Sequence, residues 1–345
     1  MAELNDRQKL ILALIIHDYV DSNQPVASSH LLEQYELDVS SATVRNTMLD
    51  LTKSGHLRQP HTSAGRVPTE EGYRYFVRQL MGHTDLPLNT KRTITHQFYQ
   101  VGQDLGRMMR LAASVLATQS QAAALVTAPR SETTHYKHLE LIATHGRQVL
   151  MVLVLSEGDI HQQMLTLAEP VPQEQLSAVA NRLNVTCQGL TLEGLSALPE
   201  PDDALMQDML RLIRDEMSRA AAMRTGQVYR DGLTNVLAEP EFAEAGSARK
   251  ALRVLEEPSL LEDLLTRTVL NTQEEGVQVL IGGEGTWEEL RDCSVVLARY
   301  GVPGLVTGAL GVLGPTRMSY GKTVSTVRFV SGLLSDLVND MLAEE

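Results

Sequence analysis

The sequence predicts an α+β fold, and three observations lead to this class. Residues 5–82 contain three short helical segments followed by a hairpin-like segment. Strand-like and helical segments then alternate toward the C-terminus, and a mainly helical block from about 201 to 271 interrupts them. Strands and helices that alternate without a regular βαβ repeat are typical of α+β domains.

The first helix is expected over residues 5–21, NDRQKLILALIIHDYVD. Its apolar residues recur at helical spacing and form one wide stripe. Asn5 is a suitable N-cap, because its side chain can accept a hydrogen bond from the first turn. Pro25 follows a break and is expected to open the second helix, VASSHLLEQY.

The third helix is expected from Ser41 to Lys53, with Ser40 as its N-cap and Gly55 as its C-terminal stop. At 100° per residue, its apolar stripe faces the core and a polar face lies opposite. Arginine and asparagine suit guanine and adenine edges, and alanine and threonine methyls suit the thymine methyl. A solvated helix face without a ligand is the alternative. The candidate DNA-contacting residues of this helix are Ser41, Ala42, Thr43, Arg45 and Asn46.

A two-stranded flap follows, with HLRQP and RVP joined by a turn over HTSAG. Three helices and then a flap are the element order of a winged helix-turn-helix. Gly65 is expected to take a positive φ at the tip and to allow close backbone approach. Thr69, followed by Glu70 and Glu71, is expected to open the next helix. The candidate phosphate or minor-groove contacts of the flap are Arg58, His61, Thr62, Ser63, Gly65 and Arg66.

Charge is unevenly distributed along the chain. The whole sequence has a formal net charge of -13. Residues 40–92 contain eight basic and four acidic residues, a net charge of +4, so the remainder carries -17. This asymmetry favours a local polyanion-binding surface on an acidic body. Chance clustering on a solvated face is the alternative.

The rest of the chain supplies the body. Residues 88–125 are expected to be helical, 138–144 and 148–156 to form a hairpin, and 202–230 to form one long amphipathic helix. Two helices divided at Pro258 should follow, then glycine-punctuated strands and a final helix.

Catalytic and cofactor motifs receive little support from the sequence. The glycines of IGGEG (281–285) and GALGVLG (308–314) match neither dinucleotide nor P-loop spacing, so strand turns and close packing explain them better. The two cysteines and scattered histidines give no metal-ligand spacing. We expect neither an enzyme nor a cofactor or metal, and the apolar runs are too short to span a bilayer. A cytoplasmic protein without membrane contact is therefore predicted.

Four blocks of the sequence resemble one known family. SSATVRNTMLDLTKSGHLRQPHTSAGRVPTEEGYRYFV (40–77) closely resembles the signature of the bacterial heat-inducible transcription repressors named HrcA. Residues 231–242, 279–301 and 308–338 are similar to that family as well, so the resemblance covers nearly the whole chain. Ser41 stands where family members often carry proline, and either residue suits a first helical turn.

The resemblance implies a dimeric repressor of chaperone operons that binds an inverted-repeat operator called CIRCE. It also implies that the chaperonin GroEL keeps the repressor active. The implied layout is a winged-helix domain at 1–82, a GAF-like body at 83–200 and 272–345, and a mainly helical inserted dimerising domain at 201–271. Two alternatives are a dimeric sensor or scaffold that uses the winged helix for protein contact, and a GAF-like small-ligand sensor.

Overall fold

The structure is a computed structural model that describes residues 3–62, 64–82, 84–131, 133–156, 159–222, 226–242, 245–270 and 276–344. The α-helices in these residues are α1 (Asp6–Ser22), α2 (Ser28–Tyr35), α3 (Ser41–Lys53), α4 (Glu70–Tyr75), α5 (Leu88–Val101), α6 (Leu105–Ser120), α7 (Gln173–Cys187), α8 (Leu192–Ser196), α9 (Ala204–Ala222), α10 (Leu233–Leu237), α11 (Ala245–Glu256), α12 (Pro258–Leu265) and α13 (Tyr320–Glu344). The strands are β1 (Leu57–Arg58), β2 (Val67–Pro68), β3 (Ala123–Thr127), β4 (Arg130–Ser131), β5 (Tyr136–Ala143), β6 (Gln148–Leu155), β7 (Ile160–Thr166), β8 (Val228–Asp231), β9 (Val277–Ile281), β10 (Cys293–Val302) and β11 (Val306–Pro315). The mixture of helices and antiparallel strands confirms the α+β class.

The N-terminal segment, residues 3–82, has the predicted order of three helices and a hairpin. Asn5 caps α1 in a reciprocal capping box with Gln8, which confirms the predicted N-cap. Asp18 of α1 anchors α2 through two contacts. It accepts a hydrogen bond from Tyr35 Oη at 2.5 Å, and it lies 3.2 Å from His30 Nε2. Burial and this hydrogen bond raise the pKa of Tyr35 to about 12.

The prediction for Pro25 is wrong. The second helix begins at Ser28, and Val26 lies in extended backbone that pairs with Arg66 of the hairpin. Pro25 therefore precedes a strand-like pairing instead of opening a helix, which the rigid φ of proline also permits.

Compact contacts divide the chain into two units. The first unit comprises 1–128, 227–301 and 308–345, and the second comprises 129–226 and 302–307. The predicted domain limits describe a functional layout and stay a prediction.

The first unit contains the N-terminal segment and a sheet whose strand order is β8-β3-β11-β10-β9. Neighbours β9 and β10, β11 and β3, and β3 and β8 run antiparallel. One face of this sheet shares a core with α10–α12 that includes Leu125, Trp287 and Leu297. Alternate residues such as Ala124 are buried on the other side, and α6 packs on β3 and on α13.

The second unit is built on the antiparallel meander β5-β6-β7. The hairpin of β5 and β6 confirms the prediction for this region, whereas β7 was not predicted. The inner face of the sheet packs on α7 and α9. Asn184 of α7 binds β5, because its Oδ1 accepts from Leu139 N and Tyr136 Oη, both at 2.7 Å, and its Nδ2 donates to Leu139 O at 3.0 Å.

Candidate nucleic-acid interface

Helix α3 separates a buried face from an exposed face. Ser40 caps it, since its side chain accepts from Thr43 N at 3.2 Å. The buried face is formed by Val44, Thr47, Met48 and Leu51, which confirms the predicted core stripe. The side chains exposed on the rest of the helix are Ser41, Ala42, Arg45, Asn46, Leu49, Asp50 and Lys53.

Arg45 and Asn46 are two of the exposed polar side chains of this face. Neither side chain has a hydrogen bond or ion pair to another residue that the structure describes. Thr43 differs, because it is half-buried and its Oγ1 lies 2.9 Å from Ser40 Oγ at the cap. Of the predicted recognition residues, Thr43 therefore has a hydroxyl already engaged by the helix end.

The hairpin turn is held by internal hydrogen bonds. Gln59 Nε2 donates to Thr62 O at 2.9 Å and to Ala64 O at 3.0 Å, and Ala64 N donates to His61 O at 2.9 Å. His61 and Thr62 are exposed at this turn. The predicted contact Ser63 lies outside the residues that the structure describes. These hydrogen bonds hold the described part of the turn, and His61 and Thr62 face solvent there.

Gly65 does not take the predicted positive φ. Its backbone instead lies against the chain before α2, where an added Cβ would lie 2.3 Å from Val26 O and 2.7 Å from Pro25 O. The expected close backbone approach at Gly65 is confirmed, whereas the expected positive φ is wrong. Because the hairpin packs here against another strand, no left-handed residue is required.

Arg66 and Arg58 have different surroundings from the turn residues. Arg66 pairs with Val26 through both backbone hydrogen bonds, and its half-buried side chain donates from Nε to Thr52 Oγ1 at 3.0 Å. Arg58 is exposed and lines a cavity of about 760 Å³ together with Tyr19 and Arg291. The structure therefore places His61, Thr62 and α3 as the outward surface, and places Arg66 and Arg58 at the base of the hairpin.

His56, which the sequence did not single out, lies at the junction of α3, the hairpin and α4. Its backbone donates to Leu51 O at 3.0 Å and accepts from Thr69 N at 3.1 Å. The buried ring lies 2.9 Å from Ser54 Oγ through Nδ1 and meets Tyr75 edge-on at 5.3 Å. Burial lowers the pKa of His56, and the Glu71 carboxylate opposes that shift.

Arg291 was also missed. It is exposed and contributes to the cavity that Arg58 lines. Nothing in the sequence indicated this proximity, because the two residues are far apart in the chain and belong to no shared motif.

Other chemistries find no support among the described residues. They contain no group of three or more His, Cys, Asp or Glu side chains that could hold a metal ion. Within the same residues, each helix is too short or too polar to cross a membrane. The glycines of GALGVLG lie in β11, where Gly308 faces the Tyr300 ring and Gly311 faces Val296 O. This position confirms that they serve strand packing.

The chain is similar to known transcription regulators along nearly its whole length. The profile of the "HrcA protein C terminal domain" family matches residues 106–324. The heat-inducible transcription repressor HrcA of Roseiflexus castenholzii is 43% identical, over 99% of this chain and 97% of that protein. The repressor of the same name from Herpetosiphon aurantiacus is 42% identical, over 99% and 97%. A crystal structure of a hypothetical protein at 2.2 Å resolution shares the fold, with a TM-score of 0.58, 22% identity and coverage of 98% of both chains.

These similarities show that the chain is a regulator of transcription, a class of protein that implies DNA binding. The chain belongs to the HrcA family of heat-inducible transcription repressors. Membership confirms the resemblance drawn from the sequence, and it confirms the expectation of a heat-shock repressor that is not an enzyme.

Proposed function

We propose that this chain represses chaperone operons by binding, as a homodimer, the inverted-repeat operator CIRCE. The observation that carries the proposal is the exposed face of α3, on which Arg45 and Asn46 have open side chains. In this proposal residues 1–82 are a winged helix-turn-helix and α3 is its recognition helix. Two-fold symmetry of the dimer would match two-fold symmetry of the operator, with half-sites one helical turn or a multiple apart.

Each exposed residue of α3 has a proposed contact in the major groove. Arg45 donates two hydrogen bonds to a guanine edge, and Asn46 exchanges two with an adenine edge. Ser41 contacts a phosphate at the N-terminal end of the helix, and Ala42 contacts a thymine methyl. Because the Thr43 hydroxyl is engaged at the cap, its methyl group is the part proposed to face DNA.

The hairpin is proposed to follow an adjacent phosphate chain or minor groove. His61, Thr62 and Ser63 provide the polar groups of its turn, and the Gly65 backbone keeps the turn close to the protein. Arg66 is proposed to combine two roles, since its Nε anchors the hairpin on Thr52 while the rest of its guanidinium adds positive charge. Arg58 adds charge at the base of the hairpin.

The dimer surface is proposed to lie on the second unit, upstream of the residues 201–271 that the sequence suggested. The outer face of its sheet carries apolar side chains on each strand, beside polar residues that include His138, Glu140 and Gln162. Ile142 pairs across to Leu150 and Leu150 to Met164, while Val154 pairs to Ile160. Ile142, Ile160 and Met164 are 44%, 60% and 53% exposed.

A second copy of the chain is the proposed occupant of that face. Two apolar sheet faces pack well face to face, and a two-fold axis makes one patch complementary to itself. Met164→Lys should therefore shift the protein to monomers in sedimentation equilibrium. Val185→Lys, at a residue 85% exposed on α7, is the matched control and should stay dimeric. Equal behaviour of the two variants would remove this face from the proposal.

The remaining layout follows the family. We propose that the sheet of the first unit is the GAF-like body, and that the chaperonin GroEL maintains the active repressor. Family membership supports the chaperonin proposal, and GroEL-dependent recovery of operator binding after dilution from denaturant would test it. The cytoplasmic location remains a prediction.

Duplex selection from a random pool, followed by footprinting, tests the DNA-binding proposal. We expect an inverted repeat, and a fall of affinity with rising salt as phosphate neutralisation releases counterions. Arg45→Ala should cost about 1–3 kcal/mol on the operator and relax specificity at one position. Arg78→Ala removes the same charge from an exposed site outside α3 and the hairpin, so it should leave the ratio of operator to random DNA unchanged. An equal ratio in both variants would refute base reading by Arg45, and no duplex binding at low salt would favour a protein-contact role.

A further inference from the structure

The IGGEG motif, for which the sequence offered no chemistry, forms an unusual turn after β9. Gly282, Gly283, Glu284 and Gly285 have φ values of 65°, 67°, 48° and 71°. Left-handed backbone is natural for glycine, but Glu284 adopts it against its steric preference. A non-glycine residue keeps this left-handed backbone conformation only when surrounding contacts stabilise it.

Those surroundings are provided by α4 of the N-terminal segment. Arg74 donates from Nε to Glu284 Oε1 at 3.2 Å and from Nη2 to Ile281 O at 2.8 Å. The same guanidinium reaches Glu70 Oε2 at 3.0 Å. Glu284 Oε1 also accepts from Ile281 N at 3.2 Å, so one carboxylate holds both the turn and the arginine.

Gly282 makes room for the second acid of this contact. A Cβ at Gly282 would lie 2.4 Å from a carboxylate oxygen of Glu70. The Arg74 side chain is 20% exposed, and its pKa is raised by Glu284 and Glu70 although burial alone would lower it. We call the set Glu70, Arg74, Ile281, Gly282 and Glu284 the Arg74 clasp.

Helix α4 is fixed equally firmly on its other side. Gly72 lies so close to the hairpin that a Cβ there would be 2.2 Å from His56 O. Thr69 caps α4 and its hydroxyl donates to Gly55 O at 2.6 Å. Helix α4 therefore connects α3 and the hairpin on one side to the clasp on the other.

We propose that the Arg74 clasp positions the DNA-binding segment on the body in one pose and thereby sets the half-site spacing that the dimer accepts. This inference rests on the proposed function, since it assumes that α3 binds one half of an inverted repeat. Arg74 and Glu284 are positioning residues, which act through α4 and need not touch DNA. A pair of partly buried charges suits such a role, and we expect it to contribute more to a unique arrangement than to stability.

Glu284→Gln is the test variant, because glutamine keeps the size and one acceptor oxygen but loses the charge. On an inverted repeat of natural spacing its affinity should fall about tenfold, within the range typical of coupling between sites. Affinity for a single half-site should stay within about twofold, and repeats with altered spacing should be bound more evenly than by the wild type. Arg74→Gln should behave alike, and the double variant should lose no more than either single one.

The control and the contrary outcomes are well separated. Arg78→Gln removes one positive charge from the same segment outside the clasp and should preserve the preference for natural spacing. If the wild type prefers one spacing and Glu284→Gln retains that preference, the clasp has no positioning role. If half-site and full-site affinities fall together, the variant has damaged the DNA-binding segment itself, and the proposal is equally refuted.

A second measurement does not depend on DNA. Spin labels on Asp50→Cys and Arg328→Cys, both at exposed positions, report the distance between α3 and α13, and the natural Cys187 and Cys293 are buried. We expect a narrow distance distribution that broadens with Glu284→Gln. If Glu284→Gln leaves the distance distribution unchanged, the clasp has no positioning role. This outcome is separate from a failure of the wild type to bind any inverted repeat, which would overturn the proposed function.

Discussion

Gly65→Ala is the substitution for which the structure gives the clearest magnitude. The new Cβ would lie 2.3 Å from Val26 O, while ordinary contact begins at 3.4 Å. The hairpin must therefore withdraw by about 1 Å, since its obstacle is backbone. The two hydrogen bonds between Val26 and Arg66, at 2.9 and 2.8 Å, would then be lost.

Two such bonds are worth about 1–3 kcal/mol together. Alanine recovers roughly 0.4–1 kcal/mol by restricting the unfolded chain. Residual overpacking adds about 1 kcal/mol in the destabilising direction. The net expectation is about 2 kcal/mol against the docked hairpin, or roughly a 30-fold change in its opening equilibrium.

Hydrogen exchange followed by mass spectrometry measures this opening directly. Peptides that contain Val26 and Arg66 should exchange about 30-fold faster in Gly65→Ala. Gly332→Ala is the control, because Gly332 is exposed in α13 and its Cβ would meet nothing within 4 Å. That variant should gain about 0.5–1 kcal/mol of helix stability. Unchanged exchange around Val26 would refute the close-approach argument.

Three further perturbations follow from the same contacts. Gly72→Ala should lower the stability of the first unit by about 1–3 kcal/mol, because the clash with His56 O outweighs the gain in helix propensity of about 1 kcal/mol; denaturant unfolding measures it. Burial lowers the pKa of His56, so the unfolded chain takes up its proton first, and stability present above pH of about 6.5 should be lost as pH falls toward the lowered value. Thermal melts from pH 7.5 to 5 measure that loss. Asn184→Ala should cost about 2–4 kcal/mol, since it leaves Leu139 and Tyr136 groups without partners, and unfolding of the second unit reports it.

Each of these has a distinct contrary result. A stabilised Gly72→Ala would show that helix propensity exceeds the clash. A His56→Gln variant should lack part of the acid sensitivity, so identical pH profiles for the two proteins would exclude this histidine. Asn184→Ala that melts like the wild type would mean that water replaces the amide group.

The helix ends and faces could be predicted from the sequence because they depend on neighbouring residues. Asn5, Ser40 and Thr69 each cap the helix that the sequence assigned to them. The core face of α3 was equally predictable, since helical periodicity decides it. The division of the helices at Pro258 was predicted for the same reason and is observed.

Long-range partners account for the errors. One long helix was expected over 202–230, but α9 ends at Ala222 and Val228–Asp231 form strand β8. This strand exists because it pairs with β3, a segment distant in the chain. The φ of Gly65 was likewise predicted wrongly, because the residue it contacts in space, Val26, lies in a different part of the chain. Periodicity within one segment has no access to such pairings.

Net charge had the same weakness as a guide to the DNA-binding surface. The count of +4 in residues 40–92 treated every basic residue alike. Arg74 is in fact surrounded by Glu70, Glu71 and Glu284, and Lys91 lies 3.3 Å from Asp85. These cations contribute little field to a distant phosphate, because nearby carboxylates cancel them.

Arg45 carries its charge on the open face of α3 without such a partner among the described residues. The electrostatic attraction for DNA should therefore arise from fewer residues than the net charge suggests. Arg66→Ala, which removes a proposed phosphate contact, should flatten the salt dependence of binding by about one phosphate contact, whereas Arg74→Gln should leave the salt slope unchanged. A parallel loss of slope in both variants would show that Arg74 also reaches the DNA.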